Sequence, residues 1–228
     1  MSNGCATVES GSRTIAGRTL VVLFLQVAAS GAISPALAQQ NGTPSDRHRA
    51  ATVGLFLAGA ALGLGAHEAG HVFFDVVFDA DPGLRKVDFH GIPFFAITHR
   101  SDLSPAQEFT ISSAGFWVQH AGSEWLLTRR PRLRYEDAPL AKGLLAFNVI
   151  ASGAYAGAAF FRTGPSERDT KGMADTADID ERAIGVVILA PAVFDTWRYF
   201  RPDSRAAVWM SRAAKIGGAL LVVRAATR

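Results

Sequence analysis

The chain has 228 residues, of which 49% are hydrophobic and only 19% charged, with a formal net charge of +3. A soluble domain of this length carries about a quarter charged residues, and here the apolar residues gather in long blocks, so an ordinary soluble globule is excluded. Cys5 is the only cysteine, which rules out an intrachain disulfide and a cysteine-based metal site.

Residues 1–38 have the order of a secretory signal peptide. Arg13 and Arg18 precede an apolar run over residues 20–29, and Ala36-Leu37-Ala38 offers a small-residue cleavage site. An uncleaved signal anchor is the alternative. Residues 39–228 read as one membrane-embedded, all-α domain, a bundle of about four transmembrane helices with a short β-hairpin-like loop after the first. Residues 39–49 are polar and read as a loop.

The first helix is expected over about residues 51–78. Residues 51–66 carry no charge, and Gly59-x-x-x-Gly63 is a small-residue pattern that lets helix backbones approach closely in lipid. Val87-Asp88-Phe89-His90 and residues 94–98 flank Gly91-Ile92-Pro93, which predicts the hairpin. Ser104-Pro105-Ala106-Gln107 supplies an N-cap, a proline at the first helical position and a capping-box partner, so a second helix should run over about 105–127. The basic run Arg129 to Arg134 follows it; beside a membrane helix such a run contacts anionic headgroups rather than nucleic acid.

A third helix over 139–161 is rich in Ala and Gly, and Asn148 in its middle is expected to hydrogen-bond to a neighbouring helix. Residues 162–182 form a polar loop. A fourth helix over 183–200 contains Pro191 and ends with Trp197 and Tyr199, residues favoured at the membrane interface. Residues 206–223 are open between a span and an interfacial helix, because Arg212 and Lys215 interrupt them. These features predict an integral protein of a bacterial-type inner membrane. The orientation is open: a cleaved signal sends the end of the first helix to the cytoplasm, whereas the distribution of Arg and Lys favours the reverse.

The residues that carry chemistry are His67-Glu68-Ala69-Gly70-His71. Histidines at i and i+4 share one helix face, where both imidazoles can bind one Zn2+. Glu68 is placed to take a proton from metal-activated water, the logic of His-Glu-x-x-His peptidases. The pattern fixes only three positions and arises by chance. Charged and ionisable side chains in a lipid-spanning helix are costly, however, and three of them within five residues demand a metal, a polar partner or a water cavity. Asp75, one turn further on, either accepts the outer N–H of His71 or marks the exit of the helix from the membrane. Gln119, His120 and Glu124 form a weaker polar cluster that lines a polar path, binds metal or pairs within the bundle.

This motif in a hydrophobic helix resembles the site-2 protease family of intramembrane zinc peptidases. The similarity covers about residues 51–127 and includes the hairpin-like loop, then Ser104-Pro105 through Phe109 and Ile111-Ser112-Ser113-Ala114-Gly115-Phe116. Phe116 stands where the family has Pro. The resemblance implies that His67 and His71 bind zinc, that Glu68 is the general base, and that the substrate is a peptide bond in or near a membrane segment of another protein. The family's third ligand is an Asp in an Asn-x-x-Pro…Asp-Gly motif, echoed loosely by residues 165–172 and 190–195.

Membrane sidedness points to Asp169 as that third ligand, because the third helix should end on the side where the first helix carries His67 and His71. Asp195, Glu124 and His120 are the alternatives. Two function classes follow: an intramembrane zinc metallopeptidase acting on a membrane-protein substrate, or a non-catalytic metal-binding scaffold or transport component.

Overall fold

The computed structural model describes residues 44–89 and 92–226. The expected signal segment, residues 1–38, and Cys5 lie outside the described residues, as do His90 and Gly91 at the tip of the hairpin.

Helix α1 spans Pro44–Val77, 34 residues, so it begins seven residues before the expected start. The stretch read as a loop contains no helix breaker after Pro44, and Asp46 in the first turn complements the helix dipole. At ~1.5 Å per residue the helix is about 50 Å long, well beyond the ~30 Å hydrocarbon core. Strands β1 (Gly83–Phe89) and β2 (Ile92–Thr98) pair antiparallel, from Gly83 opposite Thr98 to Phe89 opposite Ile92. Ile92 and Pro93, expected in the turn, instead lie in the second strand, opposite Phe89 and Asp88.

Helix α2 spans Pro105–Arg129. Its start is a full capping box: the Gln107 amide donates to Ser104 Oγ at 3.3 Å and the Ser104 amide donates to Gln107 Oε1 at 3.0 Å. A single 3-10 turn (Leu133–Tyr135) leads to α3 (Pro139–Phe161). A short helix α4 (Asp169–Ala177) interrupts the polar loop, and α5 (Glu181–Phe200) and α6 (Arg205–Ala226) follow.

Four of these helices are long and apolar enough to cross a membrane: α1, α3, α5 and α6. The protein is a membrane protein. The membership of this set differs from the expected one in a single exchange. The residues after 205, left open in the sequence, form a continuous helix of sufficient length and apolarity, and α2 is outside the set. The reason is the position of α2. It packs against α1, α3, α4, α5 and α6, and its buried residues include Ser112, Ser113, Gln119, His120 and Ser123. A helix surrounded by protein rather than lipid can carry such groups, provided they find partners.

Glycines set the close crossing of α1 and α3. A Cβ on Gly59 would fall on the Leu140 backbone, and one on Gly143 would fall on the Phe56 backbone. The two helices thus meet through reciprocal glycine contacts, as the Gly59-x-x-x-Gly63 pattern predicts. Asn148 on α3 donates to the Gln119 carbonyl at 3.0 Å and to Ser123 Oγ at 2.9 Å on α2. This is the interhelical role its position suggests.

Candidate metal centre

His67 and His71 lie one turn apart near the end of α1, both buried. Their Nε2 atoms are 3.1 Å apart. Asp169, the first residue of α4, brings Oδ2 to 3.3 Å from His67 Nε2 and 3.5 Å from His71 Nε2. These residues come from positions 102 apart in the chain. Among the described residues no other group of His, Cys, Asp or Glu converges in this way. Glu124, His120 and Asp195 are elsewhere. Glu124 and Asp195 are engaged by cations near the far ends of α2 and α5, and His120 is buried in the middle of α2 with Nε2 unpartnered.

Hydrogen bonding fixes which atoms face the centre. His71 Nδ1 donates to the Ile111 carbonyl at 2.7 Å; a carbonyl only accepts, so neutral His71 presents a bare Nε2 lone pair. The carboxylate of Asp169 accepts only as well, and a neutral His67 can place at most one proton among the three atoms. Ligand atoms around a tetrahedral zinc at ~2.0–2.1 Å stand about 3.3–3.4 Å apart. The observed triangle of 3.1, 3.3 and 3.5 Å brackets that spacing. Two nitrogens and one carboxylate oxygen are also a donor set that zinc takes in hydrolytic sites. The residues present therefore fit the metal.

Asp75 does not hold His71, as one of its two expected roles required. The Ile111 carbonyl does that, and Asp75 instead faces His99 just after β2, with Oδ1 3.4 Å from Nδ1. His99 Nε2 reaches Glu108 Oε2 at 2.6 Å. Hydrogen bonds to Asp75 and Glu108 outweigh burial and raise the His99 pKa to about 10. The cationic imidazole thus ties the hairpin to α1 and α2 beside the centre.

Glu68 is half-buried and its carboxyl interacts electrostatically with His67, His71 and Asp169, so it stands at the rim of the same cluster. Asp169 is held well below the usual carboxylate range. Burial opposes this, but in the metal-free cluster a protonated His71 and hydrogen bonds to both imidazoles outweigh it.

Three features around the centre have no strong sequence signal. Gly115 on α2 is the seat of the His67 ring, and the run Ser112-Ser113-Ala114-Gly115 is the one hint of a close approach there. Tyr155 on α3 stacks on His67 at 5.8 Å between ring centroids, and its hydroxyl interacts electrostatically with Asp169. The start of α4 is clamped by Arg168, which donates to both oxygens of Glu181 at 2.7 and 2.6 Å, while Thr170 donates to the same carboxylate at 2.8 Å. Gly172 then lets α4 press against the Ser112 side chain. Arg85 of β1 also pairs with Glu167, two residues before Asp169.

In comparisons with known protein families, curated proteins and solved structures, nothing matches this chain.

Proposed function

We propose that the protein is a membrane-embedded zinc metallopeptidase of the site-2 protease type, resident in the plasma membrane and acting on peptide bonds in or near membrane segments of other proteins. The observation that supports this reading most is the triangle of His67 Nε2, His71 Nε2 and Asp169 Oδ2, with Glu68 at its rim. Zinc held by these three donors supplies Lewis acidity, which acidifies water and polarises a carbonyl. Glu68 is the proton carrier: its carboxylate takes a proton from the attacking water and returns it to the amide nitrogen that leaves. His71 keeps its Nε2 lone pair free by donating Nδ1–H to the Ile111 carbonyl, and Tyr155 packs its ring against His67. Burial of His67 and His71 between α1, α2 and α3 keeps bulk solvent away from the reacting bond.

The test separates binding from turnover. Purified protein should hold about one zinc per chain, and Asp169→Ala should lose it. Glu68→Gln should keep zinc and abolish cleavage. Substrates are found by comparing membrane-protein fragments in cells with and without the protein. Zinc bound with no Glu68-dependent cleavage rejects the peptidase reading in favour of a metal-binding scaffold or transport component. Full zinc in Asp169→Ala rejects the site itself.

A further inference from the structure

At the end of the bundle away from His67, α2 and α6 line an open groove whose floor is mainly apolar and whose edges carry charged side chains. A cavity of about 580 Å³ lies between them, lined on its polar side by Glu124, Thr128, Arg129, Arg212 and Lys215, and on its apolar side by Ala121, Trp125 and Ile216. Glu124 is surrounded by cations: Arg198 donates to it at 2.8 Å, Arg212 at 3.0 Å and Lys215 at 3.0 Å. Lys215 also donates to Asp195 at 2.6 Å.

Two carboxylates thus face three cations. Arg129, exposed on the rim of the cavity, adds a fourth and makes no ion pair among the described residues. The C-terminal ends of α2 and α5 lie at this level with about half a negative charge each, and the N-terminal ends of α3 and α6 beside them offset this with about half a positive charge each, which leaves about two positive charges unbalanced.

The depth of the cavity says where its counter-charge comes from. Arg212 lies seven residues into α6 and Glu124 five residues before the end of α2. At ~1.5 Å per residue both are about 7–10 Å inside the ends of their helices, the level of the headgroup and upper acyl region. Unbalanced positive charge at that depth is costly, and the anions present there are lipid phosphates. Trp125 and Ile216 are 65% and 62% exposed beside the cations, so an acyl chain can run along them while its headgroup enters the polar half.

We propose that this cavity is a binding site for the phosphate of an anionic phospholipid, held by Arg129 and Arg212. Glu124 keeps Arg212 and Lys215 extended toward the cavity. The site is independent of the metal centre and stands whether or not the protein is a peptidase.

The full chain, purified in detergent and stripped of lipid, is titrated separately with phosphatidylglycerol, phosphatidylcholine and inorganic phosphate, and bound lipid is counted by native mass spectrometry. About one phosphatidylglycerol should be retained per chain, with phosphatidylcholine held far more weakly. Arg129→Gln and Arg212→Gln should each weaken retention about fivefold, the effect of one cation near a lipid surface. Arg212→Lys, which keeps the charge, should bind nearly as well as the parent. Arg100→Gln, just after β2 and paired with Asp102 at 3.0 Å, should leave binding unchanged. Arg129 sits at an exposed helix end, so its variant remains informative even if Arg212→Gln does not fold. Equal phosphatidylglycerol retention in the parent and Arg129→Gln overturns the site, and so does equal retention of phosphatidylcholine. If inorganic phosphate binds as tightly as phosphatidylglycerol, the site is for free phosphate and the lipid assignment fails.

Discussion

Gly115→Ala is a small change with a large expected effect on the metal centre. A Cβ at Gly115 would lie 2.5–2.6 Å from three atoms of the His67 ring. Ordinary contact between such atoms is about 3.5 Å or more, so the ring must move by about 1 Å. It has little room, because Phe116 packs edge-on at 5.3 Å and Tyr155 stacks at 5.8 Å. Disturbing how a ligand is held lowers metal affinity by about 10–100-fold, at most about 2.8 kcal/mol. Helix propensity works the other way, since Ala is favoured over Gly by about 1 kcal/mol in a helix interior. The expected result is zinc affinity lowered about 10–100-fold in a protein that still folds. Gly122→Ala on the same helix is the control, because its added Cβ meets only Asn148 Nδ2 at 4.0 Å; zinc affinity there should be unchanged. The assay is competition against a chelator of known affinity. Parent-like zinc affinity in Gly115→Ala would refute the claim that His67 is seated on this glycine and bound through Nε2.

Glu181→Gln removes the charge that holds Arg168 in a largely buried pair; breaking such a pair costs about 3 kcal/mol, and should lower the thermal midpoint in detergent and weaken zinc retention through Asp169. Gly143→Ala drives a methyl into the Phe56 backbone and should cost about 1–3 kcal/mol by overpacking, read as a lower midpoint with the isolated zinc ligands untouched. The folded-state pKa of His99 is raised to about 10 from an ordinary 6.5, so its contribution is fully present below about pH 6.5 and is lost as pH rises through about 10. Discounted for solvent at this half-exposed site, it is on the order of 1–2 kcal/mol. The midpoint difference between the parent and His99→Gln should therefore be largest at about pH 6.5 and below, fall progressively as pH rises toward 10, and be lost above it; a difference that does not vary with pH would assign His99 a packing role only.

Much of this arrangement is written in local patterns. The hydrophobic runs and the Ser104 capping box define α2, α3 and α5 within a few residues, because caps and apolar length act locally. The spacing of His67 and His71 places them on one face by helix geometry alone, and the approach of Asp169 follows from counting which helix ends share a side. What depends on tertiary packing is less legible. Asp75 faces His99 rather than His71 because the hairpin folds back over the end of α1, which no local pattern announces. Gly115 and Tyr155 read as ordinary residues of apolar helices until α1 lies against them. The polarity of α2 looks like a defect in a lipid-facing span and becomes intelligible once five neighbouring helices enclose it. Arg212 and Lys215, which break the apolar run after residue 205, turn inward to Glu124 and Asp195, and this is how α6 stays continuous.

The separation of 102 residues between His67 and Asp169 has a consequence for biogenesis. A chain emerging from the ribosome exposes the histidine pair early, when only α1 has been made, and the carboxylate that completes the triangle follows after α2 and α3. α5 must follow as well, because Glu181 is what anchors Arg168 beside Asp169. A partly inserted chain therefore carries two of the three grouped side chains and none of their clamp, and the triangle closes only late in membrane insertion.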